Sequence, residues 1–358
     1  MKILVFPFSE NPYQSLLYEQ PEFEKHTVSY LKYDVSNIQV INRIKVFYSL
    51  IKYRLEGNSV FHLHWLFNFA PPNATTFTLL INSFYIPCWL LFIKLIGYKI
   101  IWTVHNIVPH ERTTIADLLT TKIICLLSDK IVLHSEDSLY QLSLICNVVN
   151  KSSIIPMGSY NNKFVPSKAA NDVRSCLDIK PTSFLFLFFG LIKPYKGLER
   201  LLEAFQIVHK DNPSTRLLVT GSFNDEEYER SVSKLIKTAP GVLAIFGHLS
   251  DEDLSNYILT CNAVVFPFIN ITTSSSVIHA LAANKIIIAP SIGSITQISS
   301  NAGYFYTPNS IDGLIHKMNH AIEQQLQDYM IIANAGKYIS SLSWSEAAKK
   351  TVKTYIDA

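Results

Sequence analysis

The sequence predicts an α/β protein made of two doubly wound domains, each with a parallel sheet covered by helices on both faces. Three observations favour this fold class. The chain has 358 residues, which at roughly 100–200 residues per domain suggests two domains. Short apolar runs alternate with helical patterns from end to end, as in repeated βαβ units. These runs are apolar nearly throughout, which is typical of parallel strands that are buried on both faces.

The strand-like runs divide the chain into halves. In the first half they lie at 2–8, 26–31, 59–66, 99–106, 130–135 and 152–157, with helical patterns such as 42–55 and 116–127 between them. In the second half they lie at 183–190, 215–221, 242–247, 263–268, 285–291 and 303–307. Residues 159–182 are polar and aperiodic, which indicates a linker. We therefore predict a first domain over 1–158 and a second over 183–340.

The composition excludes several classes of protein. With 31 Lys+Arg against 28 Asp+Glu, 48% hydrophobic and 16% charged residues, the chain is neither disordered nor a nucleic-acid binder that works by bulk positive charge. The five cysteines are scattered and form no CxxC pair, which favours buried thiols in a reducing, cytoplasmic compartment. The N-terminal run is predicted to be a strand and not a signal peptide.

One long stretch lacks charge: no Asp, Glu, Lys or Arg occurs between Glu56 and Lys94. Within it, residues 76–96 are a candidate helix that is interrupted by Asn82 and Pro87. Three interpretations stay open, namely a buried helix of the α/β domain, a helix with one apolar face in a membrane surface, and a span. Aromatic side chains in the stretch suit a core and a membrane interface equally well.

The residues that follow each strand are the first candidates for a site, because ligands of open parallel sheets bind outside the carboxyl ends of the strands. After the strand at 183–190 the sequence reads Gly190-Leu-Ile-Lys193-Pro-Tyr-Lys196-Gly197 and then enters a helical pattern. Two cationic side chains beside a helix N-terminus favour a phosphate or diphosphate. The alternative is a pair of ordinary surface lysines.

A second candidate is the run of five hydroxyl residues from Thr272 to Ser276, which leads into an apolar helix. Hydroxyls and backbone N–H groups at a helix N-terminus also suit a phosphate. The alternative is N-capping, which would use one serine and leave the other hydroxyls unexplained.

In the first half of the chain, three histidines are candidate site residues. His105 and Asn106 end a predicted strand, where His105 could donate to a developing anion or hold a ligand hydroxyl, or could be a structural histidine. His62 and His64 lie two apart in a strand and therefore share one face. Two imidazoles could hold zinc, but no further ligand is placed nearby, so we predict no metal site.

These residues resemble a known family. The second half is similar to GT-B glycosyltransferases of the family 4 type, through FFGLIKPYKGLERLLEAF, LLVTG, IFGHLSDEDLSNYILTCNAVVFPF and TTSSSVIHALAANKIIIAP. In the first half, FHLHWL and TVHNIVPHE are similar to bacterial enzymes that build exopolysaccharide, capsule or O-antigen units on a lipid carrier. The resemblance covers nearly the whole chain. It implies two Rossmann-like domains facing a central cleft, with residues 341–358 packed back on the first domain.

The resemblance also implies roles for single residues. The positions that match donor-binding residues are Gly190, Lys193, Lys196, Gly247, His248, Leu249, Thr273, Ser274, Ser275, Ser276, Val277 and His279. The positions expected around the acceptor are Asn11, Tyr13, His62, His64, Asn106 and Glu111. The catalytic candidates are His105, Glu111 and Lys196, of which His105 matches a histidine near the reacting centre.

The sequence departs from the family pattern in the donor-binding segment. Family 4 enzymes usually carry two glutamates eight positions apart there, whereas this chain has Ile271 and His279. The serine-rich version occurs in divergent relatives, some resembling β-mannosyltransferases, so the sugar and the stereochemical outcome stay open. An inverting reaction needs a general base, for which Glu111 or His110 is the candidate, whereas a retaining reaction of this family's kind needs none.

Together these observations predict a hexosyltransferase that needs no metal or other cofactor. It would move a hexose from a UDP- or GDP-linked sugar to a saccharide on a polyprenyl diphosphate lipid. Residues 76–96 would contact the cytoplasmic face of the inner membrane. Two alternatives remain: a nucleotide-sugar epimerase of the same fold, since fold alone does not decide function, and a non-catalytic partner that has kept the fold without the glutamates.

Overall fold

The computed structural model describes residues 1–9, 11–31, 40–65, 76–109, 115–160, 170–324 and 329–358. By their contacts these residues form two compact units. The first comprises Met1–Gly158 with Leu342–Ala358, and the second comprises Ser159–Ser341. Each unit contains a six-stranded, all-parallel sheet, so the prediction of two doubly wound parallel domains is confirmed.

The sheet of the first unit has the strand order β2-β1-β3-β4-β5-β6. Its strands are β1 (Lys2–Phe6), β2 (Thr27–Tyr30), β3 (Val60–Leu63), β4 (Lys99–Thr103), β5 (Lys130–Leu133) and β6 (Ser152–Ile154). The helices between them are α1 (Pro12–Tyr18), α2 (Val40–Leu55), α3 (Thr76–Leu95), α4 (Ile115–Leu127) and α5 (Glu136–Ser143).

The core of this unit is aromatic. Phe6 of β1 and Phe61 of β3 stack with ring centroids 5.9 Å apart, and both rings contact Trp89 of α3. All three side chains are almost completely buried, and burial of a large apolar side chain stabilises a fold by about 1.5–3 kcal/mol. Because this cluster fixes α3 on the face of the sheet, it also sets the positions of the strand ends above it.

Within the uncharged stretch, α3 packs in the core through one face. Trp89, Leu90 and Ile93 of α3 are buried, whereas Leu91 and Leu95 point to solvent. Among the described residues, no helix combines the length and the apolarity that crossing a bilayer requires. The described part of α3 is thus mainly a helix of the α/β core.

The sheet of the second unit has the order β12-β11-β10-β7-β8-β9. Its strands are β7 (Leu185–Phe189), β8 (Arg216–Gly221), β9 (Val242–Phe246), β10 (Ala263–Val265), β11 (Ile286–Pro290) and β12 (Tyr304–Tyr306). Its helices are α6 (Ala170–Cys176), α7 (Leu198–Asp211), α8 (Glu226–Thr238), α9 (Asp251–Thr260), α10 (Ser275–Ala282), α11 (Ile311–Glu323) and α12 (Tyr329–Ser340).

Part of the predicted linker at 159–182 belongs to the second unit. It contains α6, which packs against α9. The guanidinium of Arg174 in α6 donates to the carbonyl oxygens of Ser183 (2.9 Å) and Thr260 (3.1 Å). A helix of two turns carries too little apolar periodicity for the pattern to reveal it.

The last helix, α13 (Trp344–Ile356), belongs to the first unit. It begins at Ser343, whose hydroxyl oxygen accepts from the N–H of Glu346 (3.3 Å). Trp344 and Tyr355 are buried, and the helix packs against α1. Through α13 the end of the chain supplies side chains to the interior of the first unit.

Three glycines tie the strand ends of the second sheet together. The N–H of Gly190 donates to the carbonyl of Thr220 (3.1 Å), and the N–H of Gly247 donates to the carbonyl of Gly221 (2.9 Å). A Cβ on Gly221 would lie 1.9 Å from the carbonyl oxygen of Gly190. The backbones of the loops after β7, β8 and β9 are therefore in direct contact with one another.

Candidate functional site

In the second unit the site is built around the loop after β7. The chain turns at Gly190, and a short 3₁₀ helix, Pro194–Lys196, leads to Gly197. Gly197 has φ +73° and starts α7. A Cβ at this position would lie 2.1 Å from the carbonyl oxygen of Pro267. Only glycine fits at this position. The close packing of Gly197 against Pro267 holds the backbone next to Lys196 in place.

Lys196 is a buried cation. Its side chain is only 8% exposed, and among the described residues no carboxylate pairs with it. Burial, and to a lesser extent the neighbouring charge of Lys193, lower the pKa of the ammonium group to about 8. A buried, unpaired cation next to a second cation is costly unless an anion binds there.

The start of α10 faces this lysine. The Nζ of Lys196 lies 3.1 Å, and the Oγ of Ser276 3.6 Å, from the point that a Cβ on Gly190 would occupy. The two groups thus border one small space that exists because residue 190 has no side chain. An ammonium, a hydroxyl and the first N–H groups of a helix around one space form an anion site.

N-capping accounts for one hydroxyl of the run. The Oγ of Ser274 accepts from the N–H of Val277 (3.3 Å) and caps α10. Ser275 is exposed and Thr273 is half-buried. The hydroxyl of Ser276 is not the cap, since it turns toward Gly190, so the capping alternative covers only part of the run.

The remaining donor candidates also belong to the second unit. Gly247 ends β9 with φ +132° and open space beside it, and it is followed by exposed His248 and half-buried Leu249. The ring of His279 in α10 packs edge-on against Phe189 of β7, with centroids 6.3 Å apart. Where the family has a glutamate, this chain therefore presents an imidazole against an aromatic side chain.

The first unit contains a histidine cluster. His64 directly follows β3, His134 directly follows β5, and His105 follows β4 after one residue, while His62 lies within β3. Ring centroids are 4.2 Å apart for His62 and His64, 5.3 Å for His64 and His105, and 5.4 Å for His105 and His134. Parallel strands that are neighbours in the sheet bring these rings together.

Hydrogen bonds link three of these rings, His62 to His64 through Tyr18 and His64 to His105 directly. Tyr18 lies 2.6 Å from His62 Nδ1 and 2.9 Å from His64 Nε2. Tyr355 of α13 also lies 2.6 Å from His62 Nδ1. His64 Nδ1 lies 3.0 Å from His105 Nε2. The chain of bonds thus leads from the interior to His105.

All four rings are neutral at pH 7. Burial lowers the pKa of His62 to about 3 and that of His134 to about 4, and it holds the pKa of His64 and of His105 well below the ordinary value. His134 Nδ1 donates to the carbonyl of Ile155 (2.8 Å). The cluster therefore works through N–H groups and lone pairs and carries no charge.

Two of the histidines expected around the acceptor form their hydrogen bonds within the protein. His62 and His64 were predicted to meet the acceptor, but both are buried and use both ring nitrogens within the protein, His62 Nε2 with Thr103 Oγ1 (2.7 Å). Tyr13 is likewise buried, edge-on to His105 at 4.7 Å between ring centroids. These three residues can support a ligand-binding residue but do not offer a surface to a ligand.

The other expected first-unit residues lie closer to solvent. Asn11 is exposed, and its Oδ1 accepts from the N–H of Tyr13 (2.9 Å) to cap α1. Asn106 is half-buried beside His105. Glu111 and His110 lie outside the described residues.

The sequence reasoning missed two classes of residue. His134 follows a strand just as His64 does, so the rule that selects strand ends would have found it. Tyr18 and Tyr355 gave no local signal, since Tyr355 is 293 residues away from the histidine that it contacts. Within the described ranges, no group of three or more His, Cys, Asp or Glu side chains is arranged to hold a metal ion.

By sequence, the proteins that this chain is similar to are glycosyltransferases. Residues 171–338 match the family described as glycosyl transferases group 1. A GDP-mannose:glycolipid 4-beta-D-mannosyltransferase of Xanthomonas campestris pv. campestris is 22% identical over 319 residues, which cover 87% of this chain and 83% of the relative. A UDP-Gal:alpha-D-GlcNAc-diphosphoundecaprenol alpha-1,3-galactosyltransferase of Escherichia coli is 22% identical over 246 residues, 66% of this chain and 60% of the relative.

Among solved structures, HepE of Anabaena in complex with UDP-glucose matches with a TM-score of 0.77 at 14% identity, over 100% of both chains. At this identity the likeness shows the fold. The two parallel sheets and the solved structures show the GT-B fold, and the family match over residues 171–338 and the relatives support a glycosyltransferase with that fold.

Proposed function

We propose that the chain is a hexosyltransferase of the family 4 type that uses a UDP- or GDP-linked sugar and a saccharide on a polyprenyl diphosphate lipid, in the synthesis of exopolysaccharide or O-antigen. The observation that carries the proposal is the buried Lys196 with Ser276 across Gly190. The relatives support it: one is named for GDP-mannose and a glycolipid, the other for UDP-Gal and a diphosphoundecaprenol acceptor.

The geometry suits the departure of a nucleoside diphosphate. Negative charge grows on the diphosphate as its bond to the anomeric carbon breaks, while the sugar becomes cationic. Lys196 and Lys193 would stabilise this charge together with the first N–H groups of α10. Two fixed cations supply the positive charge that a divalent metal would bring, and we therefore propose a metal-independent reaction. Contacts to the rest of the donor would come from Thr273, Val277, His279 and the loop from Gly247 to Leu249.

The first unit would act on the substrate through His105. This residue is 7% exposed and stacks on Trp65, with centroids 4.3 Å apart and planes 14° from parallel. The stack fixes the ring plane, so a single ring edge is left for a substrate hydroxyl. Asn106, which follows His105 in the chain, and Asn11 at the start of α1 are the polar residues that we assign to the acceptor.

Donor binding tests the proposal directly. We expect one UDP- or GDP-sugar to raise the melting temperature by several degrees, since a ligand at 100 times its Kd stabilises by about 2.7 kcal/mol. The matching nucleoside without a diphosphate should raise it far less, and Lys196→Met should remove most of the shift. A protein whose melting temperature responds to no sugar nucleotide would contradict the assignment.

Product analysis separates the proposal from its alternatives. Transfer to a polyprenyl diphosphate saccharide supports the hexosyltransferase. Conversion of the sugar nucleotide without any lipid would indicate an epimerase. Donor binding without turnover would indicate a non-catalytic partner, the alternative that Ile271 and His279 favour.

An apolar surface of the first unit supports the lipid-linked acceptor. On α4, Ile115, Leu118, Leu119 and Leu126 are exposed at helical spacing, and Leu118 and Leu119 are separated by one turn from exposed Lys122. We propose that this α4 surface, with Leu91 and Leu95 of the adjacent α3, lies in the cytoplasmic interface of the inner membrane. This revises the expectation for 76–96 alone.

The charge of Lys94, near the end of α3, is paired within the protein. Its Nζ donates to Asp129 Oδ1 (2.6 Å), so it is not available to a lipid headgroup. The exposed lysines Lys99 and Lys122 are the cations that we assign to anionic lipids.

We expect the protein to bind anionic vesicles at low salt. The double variant Leu119→Glu/Leu126→Glu should weaken binding by at least about 10-fold, because two large apolar side chains would no longer enter the interface. Ile207→Glu in the second unit, which changes an apolar residue that is also exposed, is the control and should bind like the wild type. Cosedimentation measures all three. Absence of wild-type binding, or equal loss in both variants, would refute the surface.

A further inference from the structure

A recess in the second unit lies where β12 ends and α11 begins. Its empty volume, counted to its open mouth, is about 220 Å³. Its polar wall is formed by Arg200 of α7, Tyr306 of β12 and the start of α11, and its apolar wall includes Pro267 and Phe268 after β10. The lining does not include Lys196, and none of the described residues that form it is acidic. The recess is therefore a second polar cavity, separate from the space beside Gly190.

Tyr306 brings a buried hydroxyl without a partner to this recess. The residue is only 8% exposed, and its Cβ lies 3.2 Å from the point that a Cβ on Gly313 of α11 would occupy. Within the part of the chain that the structure describes, its hydroxyl forms no hydrogen bond. Burial raises the pKa of this phenol, an effect that the charge of Arg200 opposes, so the hydroxyl keeps its proton at pH 7. A buried donor without an acceptor is unfavourable, which points to a ligand that accepts from it.

Arg200 supplies a positive charge at the same place. Its Nη1 donates to the Oδ1 of Asn309 (2.6 Å), which holds the guanidinium beside the start of α11. This bond uses only part of the donors of the guanidinium, and no carboxylate of the described ranges forms an ion pair with it. Arg200 thus keeps its charge and further N–H groups for a ligand.

The first turn of α11 adds backbone donors. The Oγ of Ser310 caps the helix by accepting from the N–H of Gly313 (2.9 Å). Ile311 and Asp312 precede the first intrahelical donor, so the cap leaves their N–H groups without a partner in the helix. The side chain of Asp312 is exposed and is not part of the lining. The wall of the recess on this side therefore carries the partial positive charge of a helix N-terminus.

We propose that the recess bounded by Arg200, Tyr306 and the first turn of α11 is a second anion site, which binds a phosphate group, either free or carried by a larger molecule. The guanidinium, the phenolic hydroxyl and the helix N–H groups are all donors, and the oxygens of a phosphate group can accept from each of them. The site goes beyond the proposed function and does not depend on it, because neither a sugar nucleotide nor hexose transfer is involved.

The recess and the donor loop share a segment of chain. The carbonyl of Pro267 packs against Gly197, and the N–H of Ile269 donates to the carbonyl of Tyr195 (2.8 Å). Phosphate added to the protein can therefore act at two neighbouring places, the recess and Lys196. The experiment removes the second of these by using the full chain with Lys196→Met as its starting protein.

Titration calorimetry with inorganic phosphate, at constant ionic strength, tests the site. We expect saturable binding in Lys196→Met, and a Kd that rises at least about 10-fold when Arg200→Gln is added, since hydrogen bonds between charged groups are the strong ones. Arg230→Gln, which changes an exposed arginine of α8, is the matched control and should leave the Kd unchanged. No saturable binding in Lys196→Met, or the same loss in both arginine variants, would overturn the site.

Tyr306→Phe, made in the same starting protein, separates ligand binding from a structural role. Without phosphate the hydroxyl has no hydrogen bond to lose, so the melting temperature should stay the same or rise. The Kd for phosphate should nevertheless rise about 10-fold, because a hydrogen bond to a charged group is lost. An unchanged Kd would show that the hydroxyl does not face the anion and would overturn the site.

A titration with glycerol phosphate distinguishes the sources of the phosphate group. Tighter binding of this monoester than of inorganic phosphate supports a site for a phosphate group on a larger molecule, and the reverse order supports a site for the free ion. Binding of neither would overturn the proposal. A protein that binds phosphate in this way but transfers no hexose would refute the proposed function and leave the recess as an anion site.

Discussion

Replacing Lys196 by methionine is expected to remove most hexose transfer and, at the same time, to make the folded protein more stable at pH 7. Methionine keeps the length and apolar stem of the side chain but not the cation. Loss of one group that stabilises transition-state charge costs about 100-fold or more in kcat. We therefore expect at least that loss for Lys196→Met, with the fold intact.

The gain in stability follows from the direction of the pKa change. In the folded protein the pKa of Lys196 is about 8, below the ordinary value of 10.5. Below pH 8 both states carry the charge, and the folded state bears the full cost of burying it. Between pH 8 and 10.5 the folded state loses the proton first, so stability rises with pH. Methionine removes the cost, which amounts to about 3 kcal/mol at pH 7.

Urea unfolding at pH 7 and at pH 10 measures this effect. The stability difference between Lys196→Met and the wild type should be largest at pH 7 and small at pH 10. Lys210→Met, which changes an exposed lysine of α7, should alter neither stability nor transfer. Transfer near the wild-type rate in Lys196→Met would remove the lysine from the diphosphate site, and equal stability at pH 7 would show that the cation is not buried.

The sequence could predict this lysine because of how parallel sheets are built. The carboxyl ends of neighbouring strands meet at one edge, so residues that follow β7 and β10 converge although about 80 positions separate Lys196 from Ser276. The same rule selected His105 in the first unit, whereas His64 was noted with His62 as a pair on one face of a strand. The sequence could not say that His64 is buried, because burial depends on α1 and α13, which cover the strand ends from distant parts of the chain.

The partners of the histidines lay beyond sequence reasoning for the same reason. Tyr355 reaches His62 because α13 belongs to the first unit. The family resemblance implies that residues 341–358 pack on the first domain, but no pattern in the sequence assigns this contact. The segment 159–182 shows a second limit. Its polar composition suggested a linker, yet Arg174 is held by carbonyl oxygens of the second unit. A short helix fixed by one side chain leaves no periodic trace.

Gly197→Ala is expected to be the most destabilising single-methyl change in the donor loop. The residue has φ +73°, which is unfavourable for alanine, and the added Cβ would lie 2.1 Å from the carbonyl oxygen of Pro267. Backbone on both sides must move to relieve this overlap. Together the strain and the overlap should cost about 3 kcal/mol of unfolding free energy.

Gly336→Ala provides the matched control for that methyl group. Gly336 lies within α12 with no atom within 4 Å of its Cβ position, so alanine should raise stability by about 0.5–1 kcal/mol through helix propensity. Because Gly197 sets the course of the backbone next to Lys196, its alanine variant should also lose the thermal shift with donor, whereas Gly336→Ala should keep it. If both variants unfolded at the same urea concentration, the close approach of Gly197 to Pro267 would be refuted. If Gly197→Ala were destabilised yet bound donor normally, the loop would be structural, and Lys196 would not depend on it for its place at the diphosphate.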